Sequence, residues 1–477
     1  MAEPSFSAEA EAVIAGLRAQ VAQRDVVIAA LLARVEALEA RLGKNSTNSS
    51  APPSSDNPFT KKPAPKSLRG RSGRRPGKQP GQPGSTLMAR AEPDRVLVHT
   101  PGCCAGCGAD LAAAEVVAEQ ARQVFDLPPI RVEVTEHRAQ TRRCACGQQT
   151  TADFPGAASA PTCYGAGVAA VATYLLARQH LPVARVAEVL WCCFGVRVST
   201  GWVAGLMPNA EGRLAGFASL TRAQLRAAPV AHFDETGARV AGRLWWVHVA
   251  CTERLTSYHR ASGRGQTSMD QGEVLPAFTG IAVHDGLTSY RHYDVEHGLC
   301  NAHHLRELIA LTETTNPPVW AQPMIDLLVE VNTIVVAAKA AGHDKLPVTV
   351  LVDYQDRYRA LIEQGWAAHP PPPPTGKQGR PNLGTARSLL RRLDIYQHDV
   401  LRFAADFAVP FDNNQAERDI RMIRLQQKIS GTWRSESGAD SFLAVRSYLS
   451  TARKQGQDAL DVLSSLFTGN PWLPVPT

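Results

Sequence analysis

Nowhere does the 477-residue chain contain an unbroken apolar run of about 18 residues, the length a helix needs to cross a bilayer. Its opening, MAEPSFSAEAEA, is acidic where a secretion signal is basic and then apolar. No membrane association is expected, and the chain reads as a soluble protein of the cytoplasm. A small disulfide scaffold is also excluded. The ten cysteines are spread over a chain long enough for two to four domains, and in a reducing compartment they serve as thiols or metal ligands.

A strong charge of one sign is missing too: 51 Lys and Arg stand against 44 Asp and Glu, a net +7. The distribution is uneven. Between Gly43 and Arg90, ten basic residues, among them Arg69, Arg71, Arg74 and Arg75, meet one acid, Asp56, so this stretch carries +9 and the remainder −2. It also holds eight prolines and six glycines and almost no aliphatic side chains, too little apolar surface to offset the entropy of ordering. Residues 44–92 are therefore read as a disordered basic linker. It is either a solvated tether or an arm that tracks phosphates without regard to base sequence.

Ahead of the linker, Ile14, Leu17, Val21, Ile28, Leu31, Val35, Leu38 and Leu42 recur in steps of three and four, with Arg24 as the polar break. The pattern predicts a coiled-coil helix over 8–43 and self-association through it, with an amphipathic helix packed on its own chain as the alternative. After the linker, Cys104 and Cys107 form one knuckle, and Cys144 and Cys146 supply a second. Four thiolates in two knuckles suit tetrahedral zinc, and glycines after Cys107 and Cys146 permit the tight turns that aim amides at sulfur. A zinc ribbon is expected over 93–155, with VFDLPPIRVEVTEHRAQT as a strand joining the knuckles. Cys103 competes with Cys104 for the first position.

Residues 160–226 read as helices, with a start near Pro182, a break at Gly195 and a cap at Ser199. This is a helix-turn-helix-like order that any helical hairpin shares. Next come strand patterns. Asp234 ends an apolar run, RLWWVHVACTERLTSYHR forms two strands around a turn at Glu253 and Arg254, and a third run ends on Asp285. Much later a helix starts at Asp412 to Asn414, with Glu417, Arg421, Arg424 and Lys428 on one face. Two strand-end aspartates and a helical glutamate form an oxygen-ligand set suited to two magnesium ions, or manganese, for in-line phosphoryl transfer beside a phosphate-holding basic stripe. Glu235 and Asp412 are close neighbours of that set.

LARVEALEARLGKNSTNSSAPPSSD, the two knuckles, HDGLTSYRHY and above all VPFDNNQAERDIRMIRLQQKISGTWRSESGADSF resemble the transposase of insertion sequence family 66 over residues 30–468. The resemblance implies a multidomain α+β protein. Its parts are the N-terminal coiled coil, a zinc ribbon, a helical DNA-binding module and a ribonuclease-H-like (retroviral-integrase-like) α/β catalytic core spanning 227–310 and 395–450. A helical insertion over 311–394 and a helical tail over 451–477 that covers the core complete it. It implies an Asp-Asp-Glu triad of Asp234, Asp285 and Glu417 holding magnesium, structural zinc at Cys104, Cys107, Cys144 and Cys146, and cleavage of transposon ends followed by strand transfer. The partners implied are terminal inverted repeats, target DNA and small accessory proteins of the same element, at the bacterial nucleoid. Phosphate contacts fall to Arg418, Arg421, Arg424, Lys428, Arg434 and the linker arginines. Where many members read Cys-Trp-Ala-His, this chain reads Cys300-Asn301-Ala302-His303. His303 is a candidate for orienting DNA or the active site, and Cys300 is not read as a zinc ligand. A catalytically inactive regulatory relative and a nuclease that cleaves without joining are the alternatives.

Overall fold

The structure, a computed structural model, describes residues 86–127, 130, 132–314, 316–370 and 384–476, together with positions 23, 24, 28, 31 and 34. The last five are helical, and the rest of the heptad seam, the linker arginines and the proline run past Pro370 lie outside the described residues.

The cysteine module carries a small antiparallel hairpin, β1 (Thr141–Arg143) and β2 (Gln149–Thr151), around the second knuckle. The strand expected between the knuckles is not formed among its described residues, and Val117, Val124, Leu127 and Val134 stand exposed. An alternating pattern makes a strand only where a neighbour takes its hydrogen bonds and one face is covered, and this segment has neither.

A helical module follows: α1 (Ala166–Ala177), α2 (Val183–Phe194), α3 (Thr200–Glu211) and α4 (Ala215–Arg226). Its punctuation follows the sequence. Pro182 precedes α2, Gly195 ends it at φ +70°, and the Ser199 hydroxyl accepts from the Trp202 amide at 3.1 Å to start α3.

The centre is a five-stranded mixed sheet built from β3 (Val230–Val240), β4 (Arg243–Cys251), β5 (Thr256–Ala261), β6 (Ile281–His284) and β7 (Glu296–Leu299), in the order β5-β4-β3-β6-β7. The first three form an antiparallel meander, while β6 pairs parallel to β3 and β7 parallel to β6. Side chains alternate across β3. Ala231 and Phe233 pack on one face with Leu225 of α4, Phe278 and Tyr290, whereas Ala238 and Val240 pack on the other.

That second face is covered by helices. They are α6 (Asn301–Thr312), α7 (Ala321–Ala340), α8 (Val348–Ala368), α9 (Gly384–Ile395), α10 (Gln397–Ala405), α11 (Asn414–Ser430) and α12 (Glu436–Lys454), with α5 (Gln266–Asp270) a short turn before β6. The expected insertion is not a separate body. Leu327, Val331, Tyr358 and Leu390 share one apolar cluster with Val283 of β6, Leu299 of β7 and Phe403 of α10. The apolar stripes of α7 and α8 thus find their partner surface on the sheet itself. Contrary to the sequence expectation, α7 is long and apolar enough to cross a membrane by length and composition. Its Met324, Leu327, Leu328 and Val331 are instead buried in this cluster. The last helix, α13 (Ala459–Phe467), also departs from expectation: Leu463 and Leu466 pack with Ala170 and Ala177 of α1 and Tyr448 of α12. The tail therefore ties the helical module to the core rather than covering the sheet.

Candidate active site

The parallel ladder pairs Val230 with Ile281, Ala231 with Ala282 and His232 with Val283. Carried two residues further, the same register sets Asp234 beside Asp285 where the strands exit, and paired residues project to the same side. Beyond Asp285 the chain turns sharply. Gly286 adopts φ +91°, a left-handed value that glycine tolerates, and the Leu287 amide donates to Asp285 Oδ1 at 3.0 Å.

The third carboxylate arrives on α11, which buries Ala416, Ile420 and Ile423 against β3 and β4 and carries Glu417 in its first turn. Asn413 fixes that helix start. It is almost fully buried; its side-chain amide donates to the Phe233 carbonyl at 2.8 Å, and its Oδ1 lies 2.9 Å from His232 Nδ1. Its backbone amide donates to Cys300 Sγ at 3.1 Å. Asp412 turns out to be a local cap, accepting from the Asn414 amide at 3.0 Å.

The electrostatics follow from packing. Burial, with Asp285 and Glu417 nearby, pushes the Asp234 carboxyl up to about 7; the Glu235 amide bond at 2.8 Å and the Arg424 guanidinium pull the other way. Glu235 points to the opposite face of β3, where burial and the charges of Asp285 and Asp234 raise it to about 8, against a 2.8 Å hydrogen bond from Tyr290. A site holding this much poorly compensated negative charge suits a hard divalent cation. The three triad carboxylates do not close to single-ion spacing by themselves. Among the described residues, the group of three donor atoms lying within 4.8 Å of one another is Cys300, His303 and Glu417.

The basic face of α11 divides. Arg418, Arg421 and Lys428 are exposed, as is Arg434 beyond the helix. Arg424 is committed inward, its Nε donating to Thr236 Oγ1 at 2.7 Å, so it anchors α11 to β3 and supplies positive charge to Asp234.

A family model described as transposase IS66 family matches residues 161–441, a span that contains the whole sheet and all three carboxylates. The chain belongs to the transposase IS66 family. A second model, the zinc-finger binding domain of transposase IS66, matches residues 101–147, and residues 2–88 match a family of unknown function, DUF6444. No curated protein matches.

As an IS66 transposase, the chain acts on DNA and carries a zinc finger. The donors fit zinc. All four cysteines are free, Gly108 and Gly147 take φ of +75° and +92°, and the turns close through Gly108 N to Cys104 O at 2.8 Å and Gly147 N to Cys144 O at 2.9 Å. Amides of Cys107 and Gly106 lower the Cys104 thiol, and the Cys146 amide lowers Cys144, favouring the thiolates that bind metal. Each knuckle is formed, while the four sulfurs are not drawn within 4.8 Å of one another.

In the transposase's helical module, α3 follows the turn as a recognition helix does but contains no Lys or Arg. Arg197 in the turn stacks over Trp191 at 4.2 Å. Sequence reasoning did not find His232, Asn413 or Tyr290. The one signal for Asn413 was its place in the Asp-Asn-Asn block.

Proposed function

We propose that this IS66 transposase is an Asp-Asp-Glu polynucleotidyl transferase with a ribonuclease-H-like core, in which Asp234, Asp285 and Glu417 hold two magnesium or manganese ions. The observation that carries the reading is the β3–β6 register, which sets two strand-end aspartates side by side, with α11 bringing Glu417 and a basic face to the same side. The sheet order, an antiparallel meander extended by two parallel strands, supports the ribonuclease-H-like assignment.

The divalent ions, when bound, supply Lewis-acid activation of the attacking oxygen and stabilisation of the leaving oxygen. The chain's own residues perform the rest. Asn413 and Cys300 hold the start of α11 so that Glu417 faces the aspartates, and the Arg424 to Thr236 bond sets the depth of the helix. Arg418, Arg421, Lys428 and Arg434 hold backbone phosphates across the site, and the basic linker adds sequence-independent grip. Water first releases a 3′-hydroxyl at the element's end, and that hydroxyl then displaces a target phosphodiester, with no covalent enzyme intermediate. Terminal inverted repeats and target DNA are the substrates, and the heptad helix pairs two subunits so that each takes one end.

The test is a joining assay with labelled element ends, run with and without magnesium beside Asp285→Asn. Both cleavage and joined product are expected from the natural protein and neither from the variant. A folded Asp285→Asn protein with full activity refutes the triad. Cleavage without joined product identifies a nuclease, and DNA binding without either identifies a regulatory relative.

A further inference from the structure

Cys300, His303 and Glu417 come from two elements that meet only in the fold. Cys300 sits at the end of β7, His303 one turn into α6, and Glu417 in the first turn of α11. Their sulfur, nitrogen and oxygen donor atoms all lie within 4.8 Å of one another. His303 Nδ1 is 3.8 Å from a Glu417 oxygen. That separation is too long for a hydrogen bond. It matches the edge of a tetrahedron with metal bonds of about 2.0–2.3 Å, whose donors stand roughly 3.3–3.8 Å apart. The same Nδ1 is buried and has no hydrogen-bond partner. Cys300 Sγ already accepts the Asn413 amide at 3.1 Å, the outer hydrogen bond that a metal-bound thiolate keeps.

We propose that Cys300 Sγ, His303 Nδ1 and a Glu417 carboxylate oxygen form a zinc site, separate from the cysteine knuckles, whose occupation withdraws Glu417 from the carboxylate set of the catalytic centre. A thiolate and an imidazole select a borderline-soft ion such as zinc over magnesium. Binding replaces the thiol proton, which leaves to solvent, while the imidazole contributes a lone pair and the carboxylate a negative charge. The fourth position is open to water. Zinc binding stands on this geometry alone, whereas its inhibitory consequence rests on the role given to Glu417 above.

The test uses the full chain and zinc itself, with cobalt(II) as a spectroscopic stand-in. The expected result is two zinc equivalents for the natural protein, one for Cys300→Ser and for His303→Ala, and one for Cys104→Ser/Cys107→Ser. Cobalt at the second site should give a thiolate charge-transfer band that Cys300→Ser removes. If Cys300→Ser does not fold, His303→Ala carries the same comparison, because its side chain lies near the surface. One equivalent in the natural protein, or a second equivalent kept by both variants, overturns the site. Excess zinc should stop magnesium-dependent cleavage by the natural protein. Full cleavage with both zinc sites filled overturns the inhibitory role and leaves the binding site standing. Absence of any magnesium-dependent cleavage counts against the triad reading and leaves the zinc stoichiometry unaffected.

Discussion

Asp234→Asn should make the protein more stable while abolishing its chemistry. The carboxyl is raised from 3.8 to about 7 by burial and by Asp285, so ionising it in the folded state costs free energy that the unfolded chain does not pay. The sign follows from linkage: a raised carboxyl destabilises the fold only where it would otherwise be ionised. The cost is therefore absent below about pH 4, grows as pH rises toward 7 and is complete above it. At about 1.4 kcal/mol per tenfold, the full cost is on the order of 4 kcal/mol. Some solvent access and the attraction of Arg424 reduce this, so removing the charge should stabilise by roughly 2–4 kcal/mol at pH 8. The amide oxygen of asparagine still accepts from the Glu235 amide, a bond of 2.8 Å in the natural protein, so no new orphaned donor arises. Urea unfolding in a chelator, followed by tryptophan fluorescence, reads the difference. The variant's midpoint should be higher at pH 8 and equal near pH 4, and magnesium should narrow the gap by stabilising the natural protein alone. Equal midpoints at pH 8 without divalent ions would refute the idea that uncompensated charge is stored at this site for a cation.

Asn413→Ala strips hydrogen bonds from the Phe233 carbonyl and His232 in a buried setting, and should cost about 2–4 kcal/mol in chemical denaturation. Arg421→Ala/Lys428→Ala should leave unfolding unchanged and flatten the dependence of log Kd on log salt by roughly 2, read by fluorescence anisotropy on duplex DNA. Arg424→Ala should behave differently, lowering stability and raising the Asp234 carboxyl further, visible as an upward shift of its titration by NMR. Zinc chelation should expose the 101–147 segment to proteolysis while hydrogen exchange in β3 and β6 stays protected, because the knuckles and the sheet share no apolar cluster.

Features set by neighbours along the chain were legible in the sequence. The helix break at Gly195, the cap at Ser199, the meander of β4 and β5 around Glu253 and Arg254, the two knuckles and the start of α11 each depend on backbone preference or local periodicity. Asp234, Asp285 and Glu417 could be named as strand-end and helix-start carboxylates for the same reason. Tertiary structure decided what depends on residues far apart in sequence. The parallel register between β3 and β6 places Asp234 beside Asp285, and no local pattern encodes which parallel strand pairs with which. Alternation across β3 separates Asp234 from Glu235, once that strand is sandwiched between two layers. The inward turn of Arg424, the strandless course between the knuckles, the docking of α13 on α1 and the meeting of Cys300, His303 and Glu417 share that origin. Each is fixed by which surfaces remain to be covered after the local elements have formed, and burial and charge pairing settle that only when the whole chain is packed.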